Sequence, residues 1–570
     1  MKKIFCCIAF LLITFSAAFS QVLNDMQIIN GKHWIYEDFK TLSGELCLGT
    51  FATNTPITVG ELRLYFKQFD REKLSESGKI VYDRDLEFLQ ASSSFFKDKP
   101  YRASFGLKLA PELWLNSNEQ IDRTFDYYYK DNPVNLIADA GIQNNFALGM
   151  ELFAGKNYRE SNNIKSFTNL PLNYSQLEFT YPRFTYGSVG LVYNDWGLNL
   201  TAGKEELTIG NTKTGSVIYN STFETDTYIQ LNFFTNSFKY SLETIQVEPE
   251  KFLYLHQFEI RFFEKFKFGA IEGALINKPF EIRFLNPIMV FHSYAFWKQY
   301  ADNTMNHFYN EGLACAYLGI TLEANPIKNL RLYALYSMNE MQVPPMETGK
   351  WLSYPDSFAI QAGAEYKLPS SFGGYWNANF EGVYCAPFVY IKQAPDWSLY
   401  RHRWDQITYS YVDSWIGSPF GPDSLVFDTG FGYDQTGKWS VSLGYRLSFK
   451  GQNDFGLFNK ANYKKLQYEE NGTEKAAEVW TYYPYTEYVI ADDKNDEAGR
   501  QTALKKGRNM WMTGICQINH QISLEGSYTI TKALKVSGKF VYTLSQNARH
   551  VSGNLQHGVE GDLSVEWRVF

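Results

Sequence analysis

Apolar and polar residues alternate one by one along most of this chain. From Trp439 to Phe449 the odd positions read Trp439, Val441, Leu443, Tyr445, Leu447 and Phe449, and the even ones Ser440, Ser442, Gly444, Arg446 and Ser448. Phe105, Leu107, Leu109, Leu113 and Leu115 oppose Lys108 and Glu112 in the same way, and Phe358, Ile360, Ala362, Ala364 and Tyr366 oppose Gln361, Glu365 and Lys367. A strand sends successive side chains to opposite faces, so each segment has one oily and one wet face and cannot be a helix with a buried stripe. Repeated over most of 570 residues, the pattern predicts an all-β transmembrane protein, a large antiparallel outer-membrane β-barrel.

The termini and composition fit that reading. Lys2 and Lys3 precede an apolar stretch from Ile4 to Phe15, and Ala18, Phe19 and Ser20 follow, the layout of a signal peptide over residues 1–20. Cys6 and Cys7 lie inside the apolar stretch, so no lipid-anchored cysteine is expected. After residue 20 no apolar run reaches the ~18 residues of a spanning helix, yet Phe, Trp and Tyr make up 17% of the chain. A secreted β-sandwich or propeller also alternates, but has no use for so many aromatics, which barrels place in girdles at both membrane interfaces. The formal net charge of −7 includes Lys2 and Lys3, so it falls further on processing and gives no footing for nucleic acid. Cys47, Cys315, Cys385 and Cys516 remain, without the paired spacing of a metal site, and the sequence does not say how or whether they pair.

Residues 21–95 read differently. Ile35, Phe39, Leu42 and Leu46 recur at helical intervals; Thr58 and Glu61 form a capping-box pattern ahead of Leu62, Tyr65, Phe66 and Phe69; Ser75 caps a third helix with Ile80, Val81, Leu86 and Leu89. These are expected to form a small periplasmic helical module that either plugs or braces the barrel mouth or docks a partner. Residues 96–570 form the barrel. Hairpins are visible at Asn194–Asp195, Thr235–Ser237 and Thr531–Lys532, short turns of the periplasmic side, and the length holds roughly 16 to 18 strands at ~10 residues each. Long connections near 386–423 and 451–509 point outward or fold into the lumen.

No catalytic constellation is present: the 8 histidines are scattered, and neither a zinc-protease helix motif nor a nucleophile elbow occurs. The expectation is no enzyme, no metal and no cofactor. Mixed-sign charges on the lumen face, among them Lys108, Glu243, Glu259, Arg331, Glu365, Arg446, Glu525 and Lys539, are expected to pair across strands. The first long connection carries Trp397, Tyr400, Arg401, Arg403, Trp404, Asp405, Tyr409, Tyr411 and Trp415. Flat aromatics cover the apolar faces of sugar rings, and Arg and Asp hydrogen-bond their hydroxyls and acidic groups, so these nine are candidate polysaccharide-binding residues. The same aromatics also suit an interface girdle or the packing of the loop against the rim.

Several segments resemble the Wzi-like capsule-assembly outer-membrane proteins. They are Tyr36 to Leu46, Asn54 to Thr58 and the two helices that follow; Gly203, Lys204, Glu205 and Gly210, with Lys204 in place of Arg; Leu285, Asn286, Pro287 and Ile288, then Asp302 and Asn303; and Leu330 to Tyr336 leading to Asn339 and Glu340, where Asn339 departs from Asp. The resemblance implies a barrel of this strand number with a periplasmic helical module, and a role in holding surface polysaccharide at the exterior of a bacterial outer membrane. The expected partners are outer-membrane lipid, surface polysaccharide and, during biogenesis, the barrel-insertion machinery. The other reading left open is a porin-like diffusion channel or solute transporter.

Overall fold

The computed structural model describes residues 24–49, 54–90, 100–121, 132–156, 168–174, 177–220, 225–291, 314–340, 357–391, 398–405, 410–452, 463–470, 473–480, 511–512 and 514–569. The signal peptide expected over 1–20 lies outside them, as does most of the connection at 451–509.

The wall is a single closed antiparallel sheet in which each strand pairs with its sequence neighbours. Tyr101–Leu109 and Glu112–Asn116 are two halves of one strand interrupted at Ala110–Pro111. Proline has no N–H to give to the ladder, so it breaks the pairing there. Counting them once, the barrel has 18 strands, from Tyr101–Asn116 to Leu555–Arg568. It closes where Trp567 pairs with Leu109 and Ser564 with Glu112. No edge strand is left to template aggregation. The alternation of the sequence is the two faces of this wall: Leu443, Leu524, Phe540 and Leu563 are exposed outward, while Ser440, Ser527, Ser537 and Ser564 share an inward row across four strands. An apolar outer belt on a closed wall belongs in a membrane, and the chain is an outer-membrane barrel. No helix among the described residues is long and apolar enough to cross a membrane.

Three helices close the end of the barrel where the short turns lie. Helix α1 (Ile35–Leu46) buries Ile35, Phe39 and Leu42, one stripe at helical spacing, and each such side chain is worth about 1.5–3 kcal/mol on removal from water. It stops where Cys47 adopts a left-handed conformation and the N–H of Leu48 reaches back to the carbonyl of Ser43 (2.9 Å). At the start of α2 (Val59–Phe66) the Thr58 hydroxyl accepts from the Glu61 N–H at 3.2 Å. The reciprocal half of the capping box is given up. The Glu61 carboxylate instead takes Lys239 Nζ from the wall at 2.6 Å and the Tyr65 hydroxyl at 2.8 Å, so a cap residue becomes a tether to the barrel. Helix α3 (Glu76–Gln90) starts with Ser75 Oγ accepting from the Gly78 N–H, and Ser77 Oγ donates to the Gly374 carbonyl at a wall turn (both 3.0 Å).

Candidate functional site

Two connections at the far end from the helices turn inward. Residues 206–220 enter the lumen as a hairpin in which Thr208–Ile209 pairs with Tyr219–Asn220. Gly210 stands at its bend with φ +87°, and a Cβ there would lie 2.3 Å from a Leu335 methyl, so both backbone and space call for glycine. The second segment begins at Ala386 and ends at Asp423. It is not one open loop: Tyr400–Asp405 pairs with Ser410–Trp415 as a hairpin. Val217, Ile218 and Tyr219 of the first segment pack with Phe388, Val389, Tyr390, Ile391, Leu399 and Ile416 of the second. Inward wall residues such as Ile245, Leu253, Leu255 and Leu275 complete one apolar core within the barrel.

Polar contacts fasten this core. Glu381 on the wall accepts the N–H groups of Lys213 (2.9 Å) and Thr214 (3.0 Å), together with the hydroxyls of Thr214 and Tyr333. Arg331 binds Glu365 at 2.9 Å and Glu323 at 2.8 Å, and donates to the Asn211 carbonyl. Lys213 approaches the same Glu365 at 3.8 Å; that carboxylate first, and then Glu37, raises the lysine above its ordinary pKa and keeps it charged. Asn211 also accepts from Lys40 of α1 at 2.7 Å, so the inturned hairpin is tied to the helices below it. The two inturned segments meet where Tyr390 donates to the Val217 carbonyl (2.6 Å) and the Asn220 N–H donates to that of Ile416 (2.8 Å).

Of the nine aromatic, arginine and aspartate candidates, the structure brings three together at the base of the second hairpin. Arg401 is 1% exposed, donates to Asp226 at 3.0 Å and to the Trp415 carbonyl at 2.9 Å, and lies over the Tyr219 ring. The Tyr400 and Trp415 rings stand 5.1 Å apart, and the Tyr400 carbonyl accepts from Lys251 Nζ at 2.7 Å. Burial of Tyr219 against Asp226 raises the phenol well above its usual pKa, so it stays neutral and donates. These three side chains therefore anchor the hairpin inside the barrel. Arg403, Trp404, Asp405 and Tyr411 lie further along it, with Trp404 in register with Tyr411 and Arg403 with Val412. Trp397 and Tyr409 lie outside the described residues.

The residues that carried the family resemblance scatter to different jobs. Asn339 is buried; its Oδ1 accepts the Tyr390 N–H (2.8 Å) and its Nδ2 donates to the Ile391 carbonyl (3.1 Å), clamping the second inturned segment. Glu340 ends the same wall strand. Gly203 pairs in register with Tyr186 and Tyr228, where a Cβ would meet the Thr185 carbonyl at 2.8 Å. Lys204 falls in the outward phase at the loop end of its strand, in register with Thr227 and Thr185. Asn286 and Pro287 lie in a segment outside the wall, and Asp302 and Asn303 lie outside the described residues. Sequence reading missed Glu381, Asp226 and Asn211. Their one visible signal was an inward phase or a place between strands, and their partners are far away in sequence.

The expected pairing of lumen charges is present: Lys108 with Glu151 (3.5 Å), Lys267 with Glu259 (3.3 Å), Arg446 with Asp428 (2.8 Å) and Lys539 with Glu525 (3.6 Å). The two sides of the lumen differ, however. Next to the core the charges are buried, whereas the side chains of Glu525 and Lys539 are 58% and 39% exposed on an inner wall of serines and glycines.

No protein-family model and no curated protein matches the chain. Among solved structures it is similar to Wzi of Escherichia coli, an outer-membrane protein involved in group 1 capsule assembly and described as a carbohydrate-binding β-barrel. Identity is 11%, the match covers 96% of this chain and 98% of that one, and the TM-score is 0.53. OprD of Pseudomonas aeruginosa (10% identity, 84% and 96% covered, TM-score 0.38) and a loop-deleted OmpT of Vibrio cholerae (11%, 82% and 100%, 0.34) superpose too loosely to match the fold. What the likeness to Wzi shows is the fold: this chain is a closed barrel of the bacterial outer-membrane type, built on the same plan along nearly its whole length.

Proposed function

We propose that the chain is a non-enzymatic outer-membrane barrel that binds or anchors surface polysaccharide at the cell exterior. The observation that carries this reading is the lumen. The chain's own inturned segments fill one side of it with an apolar core bolted to the wall and to the helices, the construction of a platform rather than of an open pore. The fold likeness to a carbohydrate-binding barrel supports it. In this reading Tyr400, Arg401 and Trp415 hold the base of the hairpin rigid, and Arg403, Trp404, Asp405 and Tyr411, with Trp397 and Tyr409, supply the contacts to sugar.

The test is deletion of the gene followed by assay of polysaccharide in washed cells and in culture supernatant. An anchor predicts unchanged total polysaccharide shifted to the supernatant, and Trp404→Ala with Arg403→Ala should reproduce that shift with the barrel still folded. An unmoved distribution sinks the proposal. The second reading, a diffusion channel, is favoured by the solvated inner wall around Glu525 and Lys539; it predicts steady conductance steps in a planar bilayer.

A further inference from the structure

One sector of the outer face carries ionisable side chains at mid-strand. On Lys251–Phe262 the outward row reads Phe252, Tyr254, His256, Phe258, Ile260 and Phe262, while Leu253 and Leu255 point into the lumen core. His256 pairs in register with Glu272 on one side and Leu242 on the other, and the row continues through Leu231 and Leu200. An imidazole and a carboxylate thus stand in a leucine row at the depth of the hydrocarbon, where ionisable groups are costly and seldom face lipid.

The chain covers this sector itself. After the strand Phe266–Asn277 it runs back over the outside of the wall, with Phe280 against Phe252, Phe284 against Tyr254 (ring centroids 4.6 Å apart) and Phe291 against His256 (4.3 Å); the Tyr240 hydroxyl donates to the Pro287 carbonyl at 2.7 Å. His256 is left 3% exposed. The strap in turn presents apolar side chains outward, with Ile282 78% and Ile288 86% exposed. Over residues 278–290 its backbone is irregular apart from the short 3-10 turn Ile282–Leu285. Lipid cannot hydrogen-bond peptide groups, and irregular backbone at membrane depth persists where protein covers it.

We propose that a second copy of this chain covers the strap across a two-fold axis. Glu281 and Arg283, ion-paired within the strap and 30% and 43% exposed at their side chains, stand on either side of Ile282. An acid and a base flanking one apolar residue become complementary to themselves on a half-turn: each Glu281 meets the partner's Arg283 while the two Ile282 side chains pack together. Such an isologous contact shields the strap backbone and closes on itself as a dimer. It is independent of the polysaccharide reading, which needs one barrel.

The test uses the full chain in outer membranes. Ile282→Cys, under mild oxidation, is expected to give a non-reducing band of twice the chain mass. The parent, with Cys47, Cys315, Cys385 and Cys516 in place, and Trp376→Cys, exposed on another outward face, are expected to give none. In mild detergent the parent should scatter as a dimer, Arg283→Glu as a monomer, and Glu281→Arg with Arg283→Glu as a dimer again, all three with the gel mobility of folded barrels. A parent of single-chain mass with no Ile282→Cys band overturns the proposal. So does a crosslink of any other mass, or a double variant that stays monomeric.

Discussion

Arg401 shows how residue type and residue role part company. A guanidinium among tryptophans reads as a ligand contact, yet here it is sealed between Asp226, the Trp415 carbonyl and the Tyr219 ring. Removing one partner of a buried pair strands the other charge, at a cost of about 3–5 kcal/mol. Arg401→Ala is therefore expected to lower the urea midpoint of the barrel markedly, and Arg401→Met combined with Asp226→Asn, whose amide oxygen still accepts from the Tyr219 hydroxyl, to recover part of it; an Arg401→Ala protein as stable as the parent would refute the anchor role. Asn339 makes the complementary case with neutral groups. Asn339→Ala leaves the Tyr390 N–H and the Ile391 carbonyl without partners, worth about 1–3 kcal/mol. The expected result is faster proteolysis within the 386–423 segment at unchanged barrel mobility on a gel. Asn339 was legible as a position worth naming, but its task was not, because the backbone groups it binds lie 51 and 52 residues away.

The elements divide by how local their causes are. Strands and helices followed from periodicity, and both expected caps, at Thr58 and Ser75, are made by those hydroxyls. How the helices dock was not legible, since Glu61 leaves its cap for Lys239, 178 residues on. The α1–α3 contact carries a pH dependence. Asp85 of α3 is fully buried, and burial first, then the neighbouring Asp38 of α1, raises its pKa well above the ordinary 3.8, while Arg84 opposes the shift. A carboxyl whose folded pKa is raised contributes stability below its unfolded pKa that is lost as pH rises through the folded value. Docking of the helices should thus weaken as pH rises above the ordinary carboxylate range. Asp85→Asn should flatten that dependence, as read by hydrogen exchange of α3 amides between acid and neutral pH. An unchanged slope in Asp85→Asn would exclude this carboxyl as the cause.

For the whole molecule, the consequential feature is an asymmetric lumen: a packed core on one side and a solvated wall of serines and paired charges on the other. The core predicts that the native protein shows no large steady conductance in a planar bilayer, and that a variant with residues 387–422 replaced by a short turn conducts while migrating as a folded barrel. Large steps from the native protein would contradict a filled lumen. The range of 16 to 18 strands expected from length closes at 18, because rise per residue and membrane thickness leave little freedom in strand length.

What the sequence by itself determined is the wall: which residues are strand, which face meets lipid, and that the helices form a separate group ahead of it. Each depends on side-chain phase over a handful of neighbours, which a linear sequence displays directly. Only the tertiary structure decided that two connections turn inward, that Tyr400, Arg401 and Trp415 anchor rather than face outward, and that the 278–291 strap covers His256 on the outside. Those outcomes rest on pairings such as Glu381 with Lys213, 168 residues apart. A carboxylate in the inward phase looks the same in sequence whether it meets water, a cross-strand lysine or the backbone of a distant loop, and only closure of the barrel brings one of these within reach.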